Sequence, residues 1–231
     1  MIELIDFSKK YSDGIEAGSG INLKAQDGKI TGLLGLNGAG KTTIIKAVCG
    51  LHYGTKGNCS VLKKDIGYVQ EQTNLPEFMT VKEFLYFTYN FYKENTSGFE
   101  KDLTETCRLC SLENVLEKKI HTLSKGFRQR VSFAQAIIHN PKNLILDEPV
   151  NGLDPAQIIQ FRKMIKEASK NKTVLISTHL MQEVEALCDY VYILSDKKIA
   201  AEGTISEIIN KTNSKNIEEA FIKITMEKKI D

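Results

Sequence analysis

No apolar run in this sequence is long enough to cross a membrane as a helix. Ile30–Leu36 and Val174–Ile176 are strand-sized, whereas a spanning helix needs about 20 consecutive apolar residues. Membrane work is therefore expected to fall to a separate chain. An excess of one charge is also missing: 31 basic against 29 acidic residues leave +2, so charge gives no reason to expect nucleic acid or an anionic lipid surface as partner. The opening Met1-Ile2-Glu3-Leu4-Ile5-Asp6 carries acids and breaks its apolar run early, unlike a signal peptide, and export of the chain is not expected. The five cysteines (Cys49, Cys59, Cys107, Cys110 and Cys188) are odd in number and scattered, which excludes a dense disulfide framework and fits a reducing cytosol. Cys107-Arg108-Leu109-Cys110 has the spacing of a zinc or redox half-site but no second Cys/His pair nearby, so half-buried helical cysteines are expected. Repeats, low-complexity runs and long linkers are absent as well.

What is present is 231 residues at 42% apolar content, the size of one domain with a sizeable core. Residues 2–8 and 21–34 read as strands broken by turn signals at Ser12-Asp13-Gly14 and Gln26-Asp27-Gly28. A helical pattern runs from Lys41 to Cys49 and stops at Gly50. Between Thr80 and Glu117 the spacing is helical, with Ser111-Leu112-Glu113 as punctuation, and the aromatic cluster from Phe84 to Tyr92 is expected to pack in that lobe or against a partner helix. A further helix from Ser124 to Asn140 ends at Pro141, and Leu144-Ile145-Leu146 reads as a buried strand. A helix through Ile158, Phe161 and Ile165 then leads to the strand Thr173–Ser177. Strands alternating with helices predict an α/β fold with parallel βαβ units.

Gly35-Leu36-Asn37-Gly38-Ala39-Gly40-Lys41-Thr42 matches G-x-x-x-x-G-K-[ST] between an apolar strand and a helix, the context that the motif requires. The glycines let backbone N–H groups turn inward as an anion nest, and the helix N-terminus adds partial positive charge. Lys41 is expected to reach the β- and γ-phosphates, Thr42 to offer its hydroxyl to Mg²⁺, and Thr43 to lie within the same site. Asn143-Leu144-Ile145-Leu146-Asp147-Glu148 ends a strand on two adjacent carboxylates that point to opposite faces. Asp147 is assigned to Mg²⁺, directly or through water, and Glu148 to polarising the attacking water. These residues leave kinases, GTPases and helicases open. A GTPase is disfavoured because Asn171-Lys172-Thr173-Val174 and Asn210-Lys211-Thr212-Asn213 both lack the acid of the guanine-reading Asn-Lys-x-Asp.

Leu123-Ser124-Lys125-Gly126-Phe127-Arg128-Gln129-Arg130 resembles the Leu-Ser-Gly-Gly-Gln signature of the ABC ATPase family, ahead of the Asp-Glu strand. Gly152-Leu153-Asp154-Pro155 is similar to the family's D-loop and Ser177-Thr178-His179 to its switch histidine, so the resemblance spans nearly the whole chain. It implies a P-loop NTPase core with a mainly parallel sheet, an N-terminal antiparallel β lobe and an inserted α-helical lobe. One domain over 1–231 is expected, with residues 1–70 and 141–231 forming the β lobe and core and 71–140 the helical lobe. It also implies ATP and Mg²⁺ as ligands, Tyr11 stacking on adenine, and His179 on the γ-phosphate. The implied assembly is a head-to-tail pair with a second nucleotide-binding subunit, identical or not, in which Ser124, Lys125 and Gly126 act across the pair, while Asp154 of the D-loop is a further candidate of the nucleotide site. Polytopic membrane permease subunits are the implied further partners, with the chain peripheral on the cytoplasmic face.

Three departures refine that expectation. Lys125 and Phe127 replace a glycine and the glutamine of the signature, a version similar to the branch that serves separate exporter-type membrane subunits; Asn216–Phe221 points the same way. The residue of the glutamine loop falls on Gln70 or Glu71, both kept as candidates for sensing the metal. The segment between Gly57 and Ile66 is shorter than the family's, as expected of a trimmed β lobe. The alternative within the family is an ATPase that works outside transport, such as an iron–sulfur assembly subunit.

Overall fold

The computed structural model describes residues 1–60 and 65–226. In chain order its elements are β1 (Ile2–Lys10), β2 (Glu16–Ala25), β3 (Ile30–Leu34), α1 (Lys41–Val48), β4 (Lys56–Ser60), β5 (Ile66–Val69), α2 (Val81–Tyr92), α3 (Phe99–Cys110) and α4 (Lys125–Ile137). They continue with β6 (Asn143–Asp147), α5 (Pro155–Ala168), β7 (Thr173–Thr178), α6 (Met181–Leu187), β8 (Tyr190–Ser195), β9 (Lys198–Gly203), α7 (Ile205–Lys211) and α8 (Ile217–Met226). The trimmed stretch between Gly57 and Ile66 includes positions 61–64, outside the described residues. The chain forms two compact units, Met1–Lys63 with Thr173–Asp231, and Lys64–Lys172.

In the first unit, β1 is the middle strand of an antiparallel sheet, with β2 on one side and β4 on the other. A second group of strands centres on β3, which pairs in parallel with both β7 and β8, while β9 closes the far side of β8 antiparallel. Every residue of β3 and β7 is buried, which is why both read as continuous runs rather than as alternation. Leu34, Val191 and Ile193 pack against Val184 of α6, Ile208 of α7 and Phe221 of α8 to form an apolar core. The register Leu33↔Ser177 and Leu34↔Thr178 brings the loop after β3 and the residue after β7 to the same end of the sheet.

In the second unit β5 and β6 pair in parallel, and β6 is buried at every position. α4 approaches β5 so closely that a Cβ on Gly67 would lie 1.9 Å from the Ala136 carbonyl oxygen. Thr80 starts α2 with a capping box to Glu83. The predicted punctuation is real: α3 stops where Ser111 takes φ 53°, and a short 3-10 turn follows over Glu113–Val115. Cys107 and Cys110 are fully buried rather than half-buried, because they occupy the inner face of α3. Burial pushes the Cys107 thiol up to about 11 and the Cys110 thiol up further, and no cluster of His, Cys, Asp or Glu able to hold a metal occurs among the described residues.

His139, just beyond α4, is buried, stacks on Tyr92 at 3.8 Å with rings 8° apart, and has Nε2 3.2 Å from the Ile66 carbonyl oxygen. A carbonyl only accepts, so Nε2 carries the proton and buried Nδ1 has no hydrogen-bond partner. Burial, aided by Lys93 and Lys172, lowers the His139 pKa to about 4. The folded state thus keeps a neutral ring that the unfolded chain protonates near 6.5. The resulting stability is complete above that value and is lost as pH falls toward 4. Urea unfolding at pH 7 and pH 5 is expected to show a loss of about 2 kcal/mol from this residue, and His139→Phe, which cannot titrate, should remove most of the difference.

Candidate nucleotide site

The first unit carries the phosphate loop. Its conformation is dictated by Gly38 at φ 77° and Gly40 at φ 109°, and a Cβ on Gly40 would lie 2.4 Å from the Ala17 carbonyl oxygen of β2. Gly35 is equally confined, since a Cβ there would lie 2.8 Å from the Leu194 carbonyl oxygen of β8. Ala39 N–H donates to the Leu36 carbonyl at 3.1 Å, closing a tight turn over Asn37 and Gly38. Gly40 begins α1 with no side-chain cap and no acid follows in the first turn. The first intrahelical bond runs from Ile44 N–H to the Gly40 carbonyl, so the amides of Thr42 and Thr43 precede the hydrogen-bonded ladder at the positive end of the helix dipole. Lys41 is buried, with Nζ 2.8 Å from the Gly35 carbonyl oxygen and 3.3 Å from that of Leu36.

Two other predicted residues lie within this unit. Gly35 N–H donates to the Thr178 carbonyl at 3.3 Å, which sets His179, half-buried at the end of β7, beside the start of the loop. The Tyr11 hydroxyl lies 3.3 Å from Thr43 Oγ1. Its ring is met edge-on by His52 at 5.9 Å, and Lys9 Nζ is 5.3 Å from its centroid. Burial, with the charges of Lys46 and Lys9, lowers the His52 pKa.

In the second unit, Asp147 ends the buried strand β6, and Glu148 is buried at φ 47°, a left-handed conformation uncommon for a non-glycine residue. The Glu148 carbonyl accepts from Asn151 N–H at 3.1 Å, and the Asn151 side-chain amide reaches Glu71 Oε1 at 3.5 Å. Gln70 is exposed next to β5. Ser124 caps α4, accepting from Phe127 N–H at 3.4 Å, and Asp154 caps α5, accepting from Gln157 N–H at 2.9 Å with Pro155 in the first turn. Gly126 faces Gln157, whose amide would lie 2.8–2.9 Å from a Cβ placed there. Lys125 lays its ammonium over Gly152 at φ 70°, where any side chain would collide with it.

A family model described as ABC transporter matches residues 19–151, more than half of the chain. The chain belongs to the ABC transporter family. Within that family it carries the ATP-binding cassette, an ATPase domain. An uncharacterized ABC transporter ATP-binding protein, YdbJ of Bacillus subtilis (strain 168), is 37% identical over 80% of this chain, which spans 63% of that relative's length. The Nod factor export ATP-binding protein I of Rhizobium etli is 32% identical over 90% of this chain and 70% of its own. A solved ATP-binding subunit of an ABC transporter superposes with a TM-score of 0.89 at 28% identity, covering 97% of this chain and 99% of the other. A dimeric post-hydrolysis state of the cassette MJ0796, bound to ADP and Pi, gives 0.81 at 26% identity over 88% of this chain and 98% of the other.

Several residues of this ABC cassette escape motif reading. Gln129, buried in α4, donates from Nε2 to the Pro149 carbonyl at 2.8 Å and so ties the signature helix to the turn that follows Glu148. Asn151 links loops in the same way through its side-chain amide to Glu71, and only its closeness to the motifs hinted at it. Gly40→Ala is expected to abolish ATP binding and destabilise the chain by about 3 kcal/mol, since it combines a left-handed backbone with a backbone collision. Gly38→Ala meets open space and should cost only about 1 kcal/mol. Chemical denaturation of the two variants checks the contrast.

Proposed function

We propose that this chain is the ATP-hydrolysing subunit of a transport machine whose membrane subunits are separate chains, acting in a head-to-tail pair. The observation that carries the reading is the phosphate loop: glycines in left-handed conformations, an uncapped helix start and a buried lysine beside them. The loop from Gly35 to Thr43 takes the phosphates, Tyr11 the adenine, and His179 the γ-phosphate. The donor set fits Mg²⁺, which favours hard oxygen ligands and retains waters and phosphate oxygens rather than needing a protein cage. Thr42 and Asp147 would hold it, with Gln70 or Glu71 as the sensing residue, and when bound it neutralises charge on the β- and γ-phosphates. Glu148 orients the attacking water and takes its proton.

Ser124, Lys125 and Gly126 are read as the half-site offered to the other subunit's ATP, with Asp154 beside it. α4 has no acid in its first turn, so its positive end suits an anion. The MJ0796 cassette, solved as a dimer, supports a paired arrangement. No helix among the described residues is long and apolar enough to cross a membrane; we place the chain on the cytoplasmic face, held by its partners. For docking those partners we favour α2, where Phe87 and Phe91 are 64% and 77% exposed and lie one turn apart, with Phe84 half-buried on the same face. Export is the favoured direction, supported by the signature variant and by the relative named for Nod factor export.

Glu148→Gln is expected to retain ATP affinity, to lower steady-state hydrolysis at least about 100-fold and to accumulate an ATP-bound dimer on size exclusion. Turnover at the unsubstituted rate would refute its role. The pair Phe87→Glu and Phe91→Glu should leave folding and ATP binding intact but abolish co-purification of polytopic partners from detergent-solubilised membranes.

A further inference from the structure

The hairpin between β8 and β9 forms one wall of the phosphate loop. Leu194, near the end of β8, presents its carbonyl to Gly35 and its side chain to Gly40. The next residue, Ser195, pairs with Lys198, leaving a two-residue turn of Asp196 at φ 47° and Lys197 at φ 65°. Such a turn favours Asn or Asp followed by Gly, because both positions need a left-handed backbone. A lysine at the second position is a strained choice, and strain of this kind persists where surrounding contacts hold it in place. Here they do. The Lys197 carbonyl accepts from Ser19 N–H of β2 at 2.9 Å, and its Nζ donates to the carbonyl of Gly38 in the loop.

We propose that Lys197 is a positioning residue of the phosphate loop, holding the Gly38 carbonyl from the hairpin side so that the tip keeps its shape for polyphosphate. This rests on reading Gly35–Thr43 as the phosphate site. Lys41 covers the carbonyls of Gly35 and Leu36, and Ala39 N–H also donates to Leu36. Gly38 lies between these points at φ 77°, with nothing within 4 Å of a Cβ placed there, so side-chain packing does not fix the tip. A charged donor on its carbonyl does, and it brings a second cation to the loop. β2 completes the frame, with Ala17 against Gly40 and Ser19 bonded to the hairpin.

The test separates positioning from general support of the fold. Lys197→Gly places at φ 65° the residue that the turn favours, so its melting temperature is expected to equal or exceed that of the unsubstituted chain. Calorimetric titration should nevertheless show affinity weakened about tenfold for Mg-ATP and, by the same factor, for inorganic tripolyphosphate, as loss of a charged hydrogen bond to the loop predicts. Lys197→Arg, which keeps a cationic donor, should restore most of the loss. Unchanged affinity in Lys197→Gly, or a fall in melting temperature in step with affinity, would overturn the proposal. Lys41→Ala serves as the separate control: unimpaired ATP and tripolyphosphate binding there would overturn the phosphate-loop reading itself, whatever Lys197 does.

Discussion

A loop that takes up polyphosphate through its N–H groups must place its carbonyls elsewhere, since a backbone acceptor left without a partner is costly. In this chain four of the loop's carbonyls have identifiable partners. Gly35 and Leu36 face Lys41, Gly38 faces Lys197, and Gly40 takes the first helical N–H of α1. The arrangement needs β2 and β8 close behind the loop, which only glycine at 35 and 40 permits. Sheet order follows from the same need: β3 must lie between β7 and β8 for the loop to emerge beside both Thr178 and Leu194.

The second unit uses one device twice. Ser124 and Asp154, both proposed for the nucleotide site, are helix N-caps within their own chain. The roles are compatible because each cap uses only part of the side chain's capacity: a serine hydroxyl that accepts from Phe127 still has its own proton to donate, and a carboxylate that accepts at one oxygen keeps the other. Capping holds both residues in extended backbone at a helix start, where the dipole is positive. Gly126, against the Gln157 amide, lets the two helix starts approach.

Contiguous signals were legible in the sequence. The phosphate loop, the Asp147-Glu148 strand end and the helix start at Ser124 each depend on neighbours within a few positions. The buried strands showed as apolar runs because both of their faces are covered. Contacts between segments far apart in sequence were not legible. Gln129 reads as an ordinary polar helix residue until Pro149, 20 positions on, is placed against it, and Lys197 reads as a surface turn lysine until Gly38, 159 positions back, arrives. Cys107 and Cys110 had the right helix, but their full burial depends on which face of α3 packs inward.

Glu71, one of the two candidates for the glutamine-loop residue, shows how a carboxylate is accommodated next to the turn after β6. A glutamine at that position would offer both a donor and an acceptor, whereas the carboxylate only accepts. The neighbour it meets is Asn151, whose side-chain amide donates toward Glu71 while its backbone N–H donates to the Glu148 carbonyl. The turn after β6 is therefore tied at one residue both to the segment following β5 and to the backbone of the proposed water-activating glutamate. Glu148 holds a left-handed φ of 47°, which has to be maintained by its surroundings. A shift of the Glu71 segment would thus act on the turn that keeps Glu148 in place. That coupling needs an acceptor at position 71, which glutamate supplies as well as glutamine does.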